Sequence, residues 1–345
     1  MQQTGIIASQ VREAGYTRVF ITGASGFIGQ RLALALAKSG IEVFGLYRNT
    51  DAKSVLVEGG VKPVRGDIMQ PEEWSSHLKG CDALFHLAAL AAPWHPQPQM
   101  FFTLNYEGTK RVLQEAVKRD IKRIVFTSTA GTMGYRQHPE EAPIDESTFL
   151  SPPLETRYEK SKFQAENHAT SLSNADEADV VIVNPSRVFG PGLISESNAI
   201  TKIISWYLQG YWRIIPGDGS SIGNYVFIED VVKGHMQALL HGRKGERYII
   251  GGENADFDKL FDIIGEETGM DRWLAKLPVP LMLGVAQGEE WRAKWIGGRP
   301  LISVSFAQKY MRHFPLSIEK AERELNYRPK SLRESIRETI RWVKK

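Results

Sequence analysis

Cysteine is nearly absent from this sequence, with Cys81 alone among 345 residues. A single thiol excludes an intrachain disulfide and a thiolate cluster that could hold a metal. The eight histidines are scattered, without the His-x-x-x-His spacing or the neighbouring carboxylates that a metal site needs. We therefore expect no metal ion and a reducing compartment.

Two further features are missing, an excess of one charge and a long apolar run. The 43 basic and 40 acidic residues are spread along the chain, so no basic tract points to nucleic acid. The longest apolar stretch, 83–94, is interrupted by His86 and Pro93 and is far shorter than the roughly 20 residues of a membrane span. Residues 1–16 lack the pattern of a secretory signal. These absences predict a cytoplasmic protein that acts on a small molecule and binds neither nucleic acid nor membrane.

The first half of the sequence alternates short apolar runs with helical patterns. Strands are predicted at 19–21, 42–47, 61–64, 83–87, 124–127 and 180–183, and helices at 32–37, 105–119 and 158–172. Strands that are apolar throughout and alternate with helices are typical of a parallel sheet covered on both faces. The predicted fold is therefore α/β, a Rossmann-type doubly wound parallel sheet.

The pattern changes after Pro185, where loops rich in glycine, proline and aromatic residues separate the later helices. This change predicts a smaller mixed lobe that binds the substrate. We expect an N-terminal extension at 1–17, a dinucleotide-binding domain at 18–184 to which 225–240 returns, and a substrate-binding lobe over most of 185–345.

The segment "GASGFIG", residues 23–29, lies directly after a predicted strand and before a predicted helix. A dinucleotide needs its pyrophosphate close to backbone N–H groups at a helix N-terminus, where side chains would block the approach. The spacing of Gly23, Gly26 and Gly29 provides such a turn. The alternative is a structural turn whose glycines allow close helix packing, but the strand-turn-helix context favours cofactor binding.

The end of the second strand distinguishes NADP from NAD. An acidic residue there binds the ribose 2′-hydroxyl, whereas an arginine accommodates a 2′-phosphate. The segment "FGLYRNT" offers no carboxylate, and Arg48 follows Tyr47. This favours NADP, with NAD still possible, while Arg48 could instead be a solvated charge at the end of the strand.

Two Tyr-Lys pairs at helical spacing are candidates for proton transfer, Tyr106 with Lys110 and Tyr158 with Lys162. Catalytic groups in a parallel sheet gather outside the carboxyl ends of the strands. Tyr158 follows a strand and the hydroxyl-rich turn "TSTAGTMG", whereas a proline-rich turn precedes Tyr106. We therefore choose Tyr158 and interpret 105–110 as a helix start capped by Asn105.

The expected roles follow from the chemistry of a carbonyl reduction. Thr129, or less favourably Ser128, donates a hydrogen bond to the substrate oxygen, and Tyr158 passes the proton. Lys162 holds the nicotinamide ribose and, with the positively charged nicotinamide ring, lowers the pKa of Tyr158 from its usual value of about 10. Thr129 could instead cap the backbone at the end of a strand.

Several motifs together resemble the extended short-chain dehydrogenase/reductase family, also described as NAD-dependent epimerases and dehydratases. They are "TGASGFIG" (22–29), "GDI" (66–68), "FHLAA" (85–89), "NYEGT" (105–109), "FTSTAG" (126–131), "YEKSK" (158–162), "NPSRVFGPG" (184–192) and "YVFIEDV" (225–231). The branch most similar to this chain is the dihydroflavonol-reductase-like one, which includes a type of sugar epimerase. The likeness lies in "VIVNPS" (181–186), "GERYIIGGEN" (245–254) and "KAERELNYRP" (320–329).

The resemblance implies a set of cofactor-binding residues. Asp67 and Ile68 would flank the adenine, Ala88 would lie along the cofactor, and Pro185 and Val188 would lie near the nicotinamide. The whole set is Gly23, Ser25, Gly26, Phe27, Ile28, Gly29, Arg48, Asp67, Ile68, Leu87, Ala88, Ala89, Thr127, Ser128, Tyr158, Lys162, Pro185 and Val188. Helices 105–119 and 158–172 resemble the family's dimer interface, although their apolar faces could equally be covered within one subunit.

The chain departs from the family at two places. Nucleotide-sugar epimerases usually carry an arginine where Gly223 stands, so a sugar-nucleotide diphosphate would need another cation, such as Arg213 or Arg299. Sugar dehydratases carry an Asp-Glu pair where Ala130 and Gly131 stand, so no acid/base pair for eliminating water is evident.

The predicted function is that of an NADP-dependent oxidoreductase acting on a ketone, an aldehyde or a secondary alcohol. A sugar or nucleotide-sugar epimerase with a tightly held cofactor is the alternative. A non-catalytic dinucleotide sensor is a third possibility, against which the set of Thr129, Tyr158 and Lys162 argues.

Overall fold

The computed structural model describes residues 2–48, 53–121, 123–148, 154–194 and 198–345. Its strands are β1 Arg18–Thr22, β2 Glu42–Tyr47, β3 Lys62–Arg65, β4 Ala83–His86, β5 Arg123–Thr127, β6 Val180–Pro185, β7 Arg187–Phe189, β8 Ile214–Pro216, β9 Gly223–Phe227, β10 Arg247–Ile250, β11 Glu253–Ala255 and β12 Ala275–Leu277. Its helices are α1 Gln2–Glu13, α2 Phe27–Lys38, α3 Lys53–Glu58, α4 Met100–Phe102, α5 Gly108–Lys118, α6 Arg157–Asn174, α7 Ala199–Gln209, α8 Ile228–His241, α9 Phe257–Thr268, α10 Val279–Trp295, α11 Val304–Tyr310, α12 Glu319–Leu325 and α13 Leu332–Val343. A π-helical turn, Thr103–Glu107, joins α4 to α5.

A seven-stranded sheet in the order β3-β2-β1-β4-β5-β6-β10 forms the centre of the molecule, and all its pairings are parallel. Its inner strands are buried on both faces because helices cover both. Apolar side chains of α1, α2 and α8 fill one side, and those of α5 and α6 fill the other. The predicted Rossmann-type α/β class is confirmed.

The first residues of the chain and a segment of its later half both contribute to this sheet unit. Residues expected as an extension form helix α1, whose Ala8 and Val11 are fully buried in the core shared with α2 and α8. From the later half, α8 packs on the sheet and β10 adds its outer strand beside β6. The sheet unit therefore extends beyond the expected return at 225–240.

The helix predicted at 105–119 begins earlier, at Met100, and Asn105 does not cap it. Asn105 lies in the π-helical turn, where its side chain accepts a hydrogen bond from the Leu90 N–H at 2.7 Å. It also donates to the Ser161 hydroxyl at 3.0 Å. These bonds connect the turn to α6 and to the segment after β4, a role that local sequence does not reveal.

A smaller mixed lobe follows β6 directly. It contains a three-stranded sheet, in which β9 pairs parallel to β7 and antiparallel to β11, and the parallel pair β8 and β12. Because β7 starts two residues after β6 ends, the lobe begins at the carboxyl edge of the large sheet. Within the described ranges no helix is both long and apolar enough to cross a membrane. Dimerisation through 105–119 and 158–172 stays a prediction.

Candidate active site

The glycine turn after β1 is closely packed. Gly23 has φ +70°, and a Cβ there would lie 2.7 Å from the backbone nitrogen of Ala88. A Cβ on Gly29 would lie 2.9 Å from the carbonyl carbon of Gly23, closer than real contacts allow. Gly26 precedes α2 without any side-chain capping bond, which leaves the first N–H groups of the helix open to a ligand. The turn therefore fits the pyrophosphate of a dinucleotide.

A buried polar network of Thr22, His86 and Thr109 lies next to the glycine turn. The Thr22 hydroxyl lies 2.7 Å from Nδ1 of His86 and accepts a hydrogen bond from the Ala88 N–H at 3.2 Å. Nε2 of His86 lies 2.9 Å from the Thr109 hydroxyl. Burial, with the nearby charge of Lys162, lowers the pKa of His86 to about 3. His86 is therefore a neutral bridge between β1, β4 and α5.

Tyr158 and Lys162 lie in the first turns of α6. A capping box fixes where this helix begins, because the Thr156 hydroxyl accepts from the Glu159 N–H and the Glu159 carboxylate accepts from the Thr156 N–H. Lys162 Nζ donates to the carbonyl oxygen of Thr127 at 2.7 Å, at the end of β5. Burial lowers the pKa of Lys162 to about 7, although the charge of Glu166 acts to raise it.

The pKa of the Tyr158 phenol depends on the groups packed against it, and the lowering expected from a bound nicotinamide ring stays a prediction. Burial, followed by the charge of Glu159, raises the pKa of Tyr158, and a hydrogen bond with the Thr129 side chain only partly offsets the rise. Tyr158 is consequently a protonated phenol at neutral pH, the form that can donate a proton.

Helix α6 carries two buried carboxylates, those of Glu159 and Glu166. Glu159 accepts from Lys309 Nζ at 2.9 Å and from the Tyr135 hydroxyl. Burial acts to raise the pKa of Glu159, but the charge of Lys309 and these bonds outweigh it and lower the pKa. Glu166 accepts from Asn184 at 2.6 Å, and burial raises its pKa.

A cavity of about 300 Å³ lies at the carboxyl ends of the central strands, between the sheet and the smaller lobe. The predicted residues that line it are Gly23, Gly26, Phe27, Ile28, Gly29, Leu87, Ala89, Thr127, Ser128, Thr129, Tyr158, Lys162, Pro185 and Val188. The fold thus brings the glycine turn, the hydroxyl-bearing turn and the Tyr-Lys pair to one place. The competing pair, Tyr106 and Lys110, is absent from the wall, and Lys110 lies 3.7 Å from Glu107.

Five predicted cofactor residues lie outside the cavity wall, namely Ser25, Arg48, Asp67, Ile68 and Ala88. Arg48 is exposed and lies 3.6 Å from the Asp67 carboxylate, and its contact with a 2′-phosphate stays a prediction. Ile68 is buried, and a Cβ on Gly108 would lie 2.6 Å from its Cδ1. Ala88 contributes its backbone N–H to Thr22. Adenine binding between Asp67 and Ile68 stays a prediction.

Sequence reasoning missed several lining residues, among them Arg187, Lys309 and Tyr310. Arg187 lies inside the quoted motif "NPSRVFGPG", so that motif could have suggested it. Lys309 and Tyr310 belong to α11, and no motif marks them. Arg213 and Arg299, named as alternative cations, do not line this cavity. Over the described ranges no cluster of three His, Cys, Asp or Glu residues is arranged to hold a metal ion.

Known proteins are similar in sequence to this chain over most of its length. The profile described as "NAD dependent epimerase/dehydratase family" matches residues 19–251. A putative dihydroflavonol 4-reductase of Synechocystis sp. is 29% identical over 329 residues, 94% of this chain and 93% of the relative. Sterol demethylase protein B of Methylococcus capsulatus is 30% identical over 77% of this chain and 79% of its own. A 2-alkyl-3-oxoalkanoate reductase of Stenotrophomonas maltophilia is 25% identical over 93% of this chain and 97% of its own.

Solved structures share the fold. The crystal structure of gox2253 has a TM-score of 0.81 and 29% identity, covering 95% of this chain and 98% of the other. A dTDP-glucose 4,6-dehydratase double mutant from Streptomyces venezuelae, solved with NAD bound, has a TM-score of 0.73 and 26% identity, covering 95% and 97%. A UDP-glucose 4-epimerase from Thermotoga maritima, at 23% identity and a TM-score of 0.77 over 95% and 98%, shows the fold alone.

Proposed function

The chain belongs to the NAD-dependent epimerase/dehydratase family of enzymes acting on CH–OH and C=O groups, and from that premise we propose that it is an NADP-dependent carbonyl reductase. Its substrate would be a ketone or aldehyde of a small organic molecule, or the corresponding secondary alcohol in the reverse direction. The observation that carries the proposal is the shared cavity of Thr129, Tyr158 and Lys162 beside the glycine turn.

The residues of this chain have separate roles in the proposed reaction. The backbone at Gly23, Gly26 and Gly29 would hold the pyrophosphate, and Lys162 the nicotinamide ribose. When bound, the reduced cofactor supplies a hydride for the carbonyl carbon. The Thr129 hydroxyl donates a hydrogen bond to the carbonyl oxygen, and Tyr158, protonated at neutral pH, transfers its proton to that oxygen as negative charge develops there.

Dehydration receives less support than reduction. Eliminating water requires an acid/base pair, and Ala130 and Gly131 stand where sugar dehydratases carry carboxylates. No Asp or Glu is found among the described residues of the cavity wall. The names of the Synechocystis and Stenotrophomonas relatives point the same way, since both are reductases.

The test is NADPH oxidation, followed by absorbance, with a panel of ketones and aldehydes. Tyr158→Phe should lower kcat by about 10²- to 10⁴-fold and leave the NADPH dissociation constant unchanged, because the phenol holds the proton and not the cofactor. Isomerisation of sugars without net NADPH consumption would indicate an epimerase. Tight NADPH binding without any turnover would indicate a sensor.

Arg48 is proposed to favour NADPH over NADH. Its guanidinium, 3.6 Å from Asp67 and largely exposed, can still pair with a 2′-phosphate at the end of β2. Arg48→Gln should reduce the ratio of kcat/KM for NADPH to that for NADH by about tenfold, the size of one charge-assisted hydrogen bond. An unchanged ratio would contradict this assignment.

A further inference from the structure

Arg187 places a guanidinium in the wall of the cavity that holds Tyr158. It is packed among aromatic rings, with Cζ 5.1 Å from the ring centre of Tyr310, 5.5 Å from Tyr225 and 5.8 Å from Phe257. Nη1 donates to the Tyr225 hydroxyl at 3.2 Å. The flat guanidinium is therefore held in one position at the boundary between the sheet and the smaller lobe.

This cation has no counter-ion in the part of the chain that the structure describes. Its only side-chain hydrogen-bond acceptor there is the neutral Tyr225 hydroxyl, and its Nη2 is buried without a partner. Withdrawing part of a charge from water without a partner costs free energy, and contact with aromatic faces recovers only a fraction of that cost. An arrangement of this kind is expected where a ligand brings the opposite charge.

The other cations of the cavity are already engaged. Lys309 pairs with the Glu159 carboxylate at 2.9 Å, and Lys162 donates to the Thr127 carbonyl. Lys162 also has the assigned role beside Tyr158. Among the described lining residues, Arg187 is thus the cation that is left for a substrate.

Gly223 makes this position of Arg187 possible. A Cβ on Gly223 would lie 2.8 Å from Cζ of Arg187 and 2.9 Å from the Tyr225 hydroxyl, so any larger residue would displace the guanidinium. Gly223 is the position at which the chain departs from the arginine of nucleotide-sugar epimerases. Arg187 from β7 fills the space beside Gly223 that a side chain there would need.

We propose that Arg187 is a binding subsite for a carboxylate of the substrate, so that the molecule reduced at Tyr158 is an oxo acid. The inference rests on the proposed carbonyl reduction and adds the class of substrate. A guanidinium matches a carboxylate through two parallel hydrogen bonds, and a single unpaired cation balances a single negative charge. A diphosphate would bring more charge than this one residue neutralises.

The experiment compares oxo acids with their own methyl esters, with the carboxyl group one to three carbons from the ketone. Wild-type protein should reduce the acids with a kcat/KM about 10- to 100-fold above that of the esters, the range expected for a charge-assisted hydrogen bond. In Arg187→Met this acid-to-ester ratio should fall to near one. Gly223→Ala, which keeps the arginine but displaces it, should lower the ratio in the same direction.

The matched control is Arg213→Met, which removes an exposed arginine outside the cavity and should keep the wild-type ratio. Circular dichroism and NADPH affinity are measured for each variant, so that a folding defect is not mistaken for loss of the subsite. Equal reduction of acids and esters by the wild type would overturn the proposal. So would a loss of both activities in equal proportion in Arg187→Met.

A binding experiment distinguishes failure of the carboxylate subsite from failure of the proposed carbonyl reduction. Calorimetric titration of the NADP⁺-loaded protein with the same acids and esters needs no turnover. Acid binding that depends on Arg187 would support the subsite even if no carbonyl were reduced, in which case only the reductase proposal would fail. Binding of UDP-glucose, and not of the acids, that is lost in Arg187→Met would assign the subsite to a diphosphate and refute the carboxylate.

Discussion

The charge of Lys162 is sensitive to pH in the neutral range. Its Nζ lies 4.3 Å above the Phe126 ring and donates to the Thr127 carbonyl, and burial lowers its pKa to about 7. The ammonium is therefore present below about pH 7 and lost above it, whereas exposed lysines keep their charge to about pH 10. Replacing Lys162 with Met removes this titration together with the charge.

The size of the effect on catalysis follows from the hydrogen bond that Lys162 is proposed to make. Its proposed partner is the nicotinamide ribose, and a hydrogen bond to a charged group contributes about 1.5–3 kcal/mol. Losing it corresponds to about 10- to 100-fold in rate, because 1.36 kcal/mol is a factor of ten.

The pKa is measured on protein labelled with ¹³C at lysine Cε, by following chemical shift against pH. One resonance should titrate near pH 7 and be missing from Lys162→Met. The same variant should lower kcat for carbonyl reduction about 10- to 100-fold at pH 6, whereas Lys160→Met, on the exposed side of α6, should change it little. If every lysine resonance titrated above pH 9, or if Lys162→Met kept wild-type kcat, the reasoning would be wrong.

Two further predictions concern the cofactor turn and the support of α6. Gly29→Ala forces a Cβ into the backbone of Gly23 and should abolish NADPH binding measured by fluorescence, whereas Gly5→Ala, on α1 with open space around it, should not. Glu159→Gln breaks the buried pair with Lys309 and should lower the free energy of unfolding in urea by about 3 kcal/mol at pH 7. Because the folded-state pKa of Glu159 lies below 4.5, this contribution is present above pH 4.5 and should vanish as the pH falls through the lowered pKa, and a constant difference down to pH 2 would contradict it.

Much of this molecule was predictable from local sequence. The apolar strands and the glycine turn between β1 and α2 depend on residues within a few positions of one another, so their pattern is visible without any contact. Tyr158 and Lys162 line the cavity, whereas Tyr106 and Lys110 do not, because the order of strand, hydroxyl-rich turn and helix determines which edge of a parallel sheet a residue reaches. The role of Tyr158 as proton donor stays a prediction.

The remaining features depended on segments that meet only in the folded chain. β10 joins the sheet 62 residues after β6 ends, and Lys309 of α11 pairs with Glu159 of α6. Arg187 takes the space that Gly223 leaves empty. Burial and the Glu159 charge raise the pKa of Tyr158, and the Lys162 ammonium donates to the Thr127 carbonyl. Desolvation and the direction of a charged group are properties of the three-dimensional surroundings, and no spacing along the sequence encodes them.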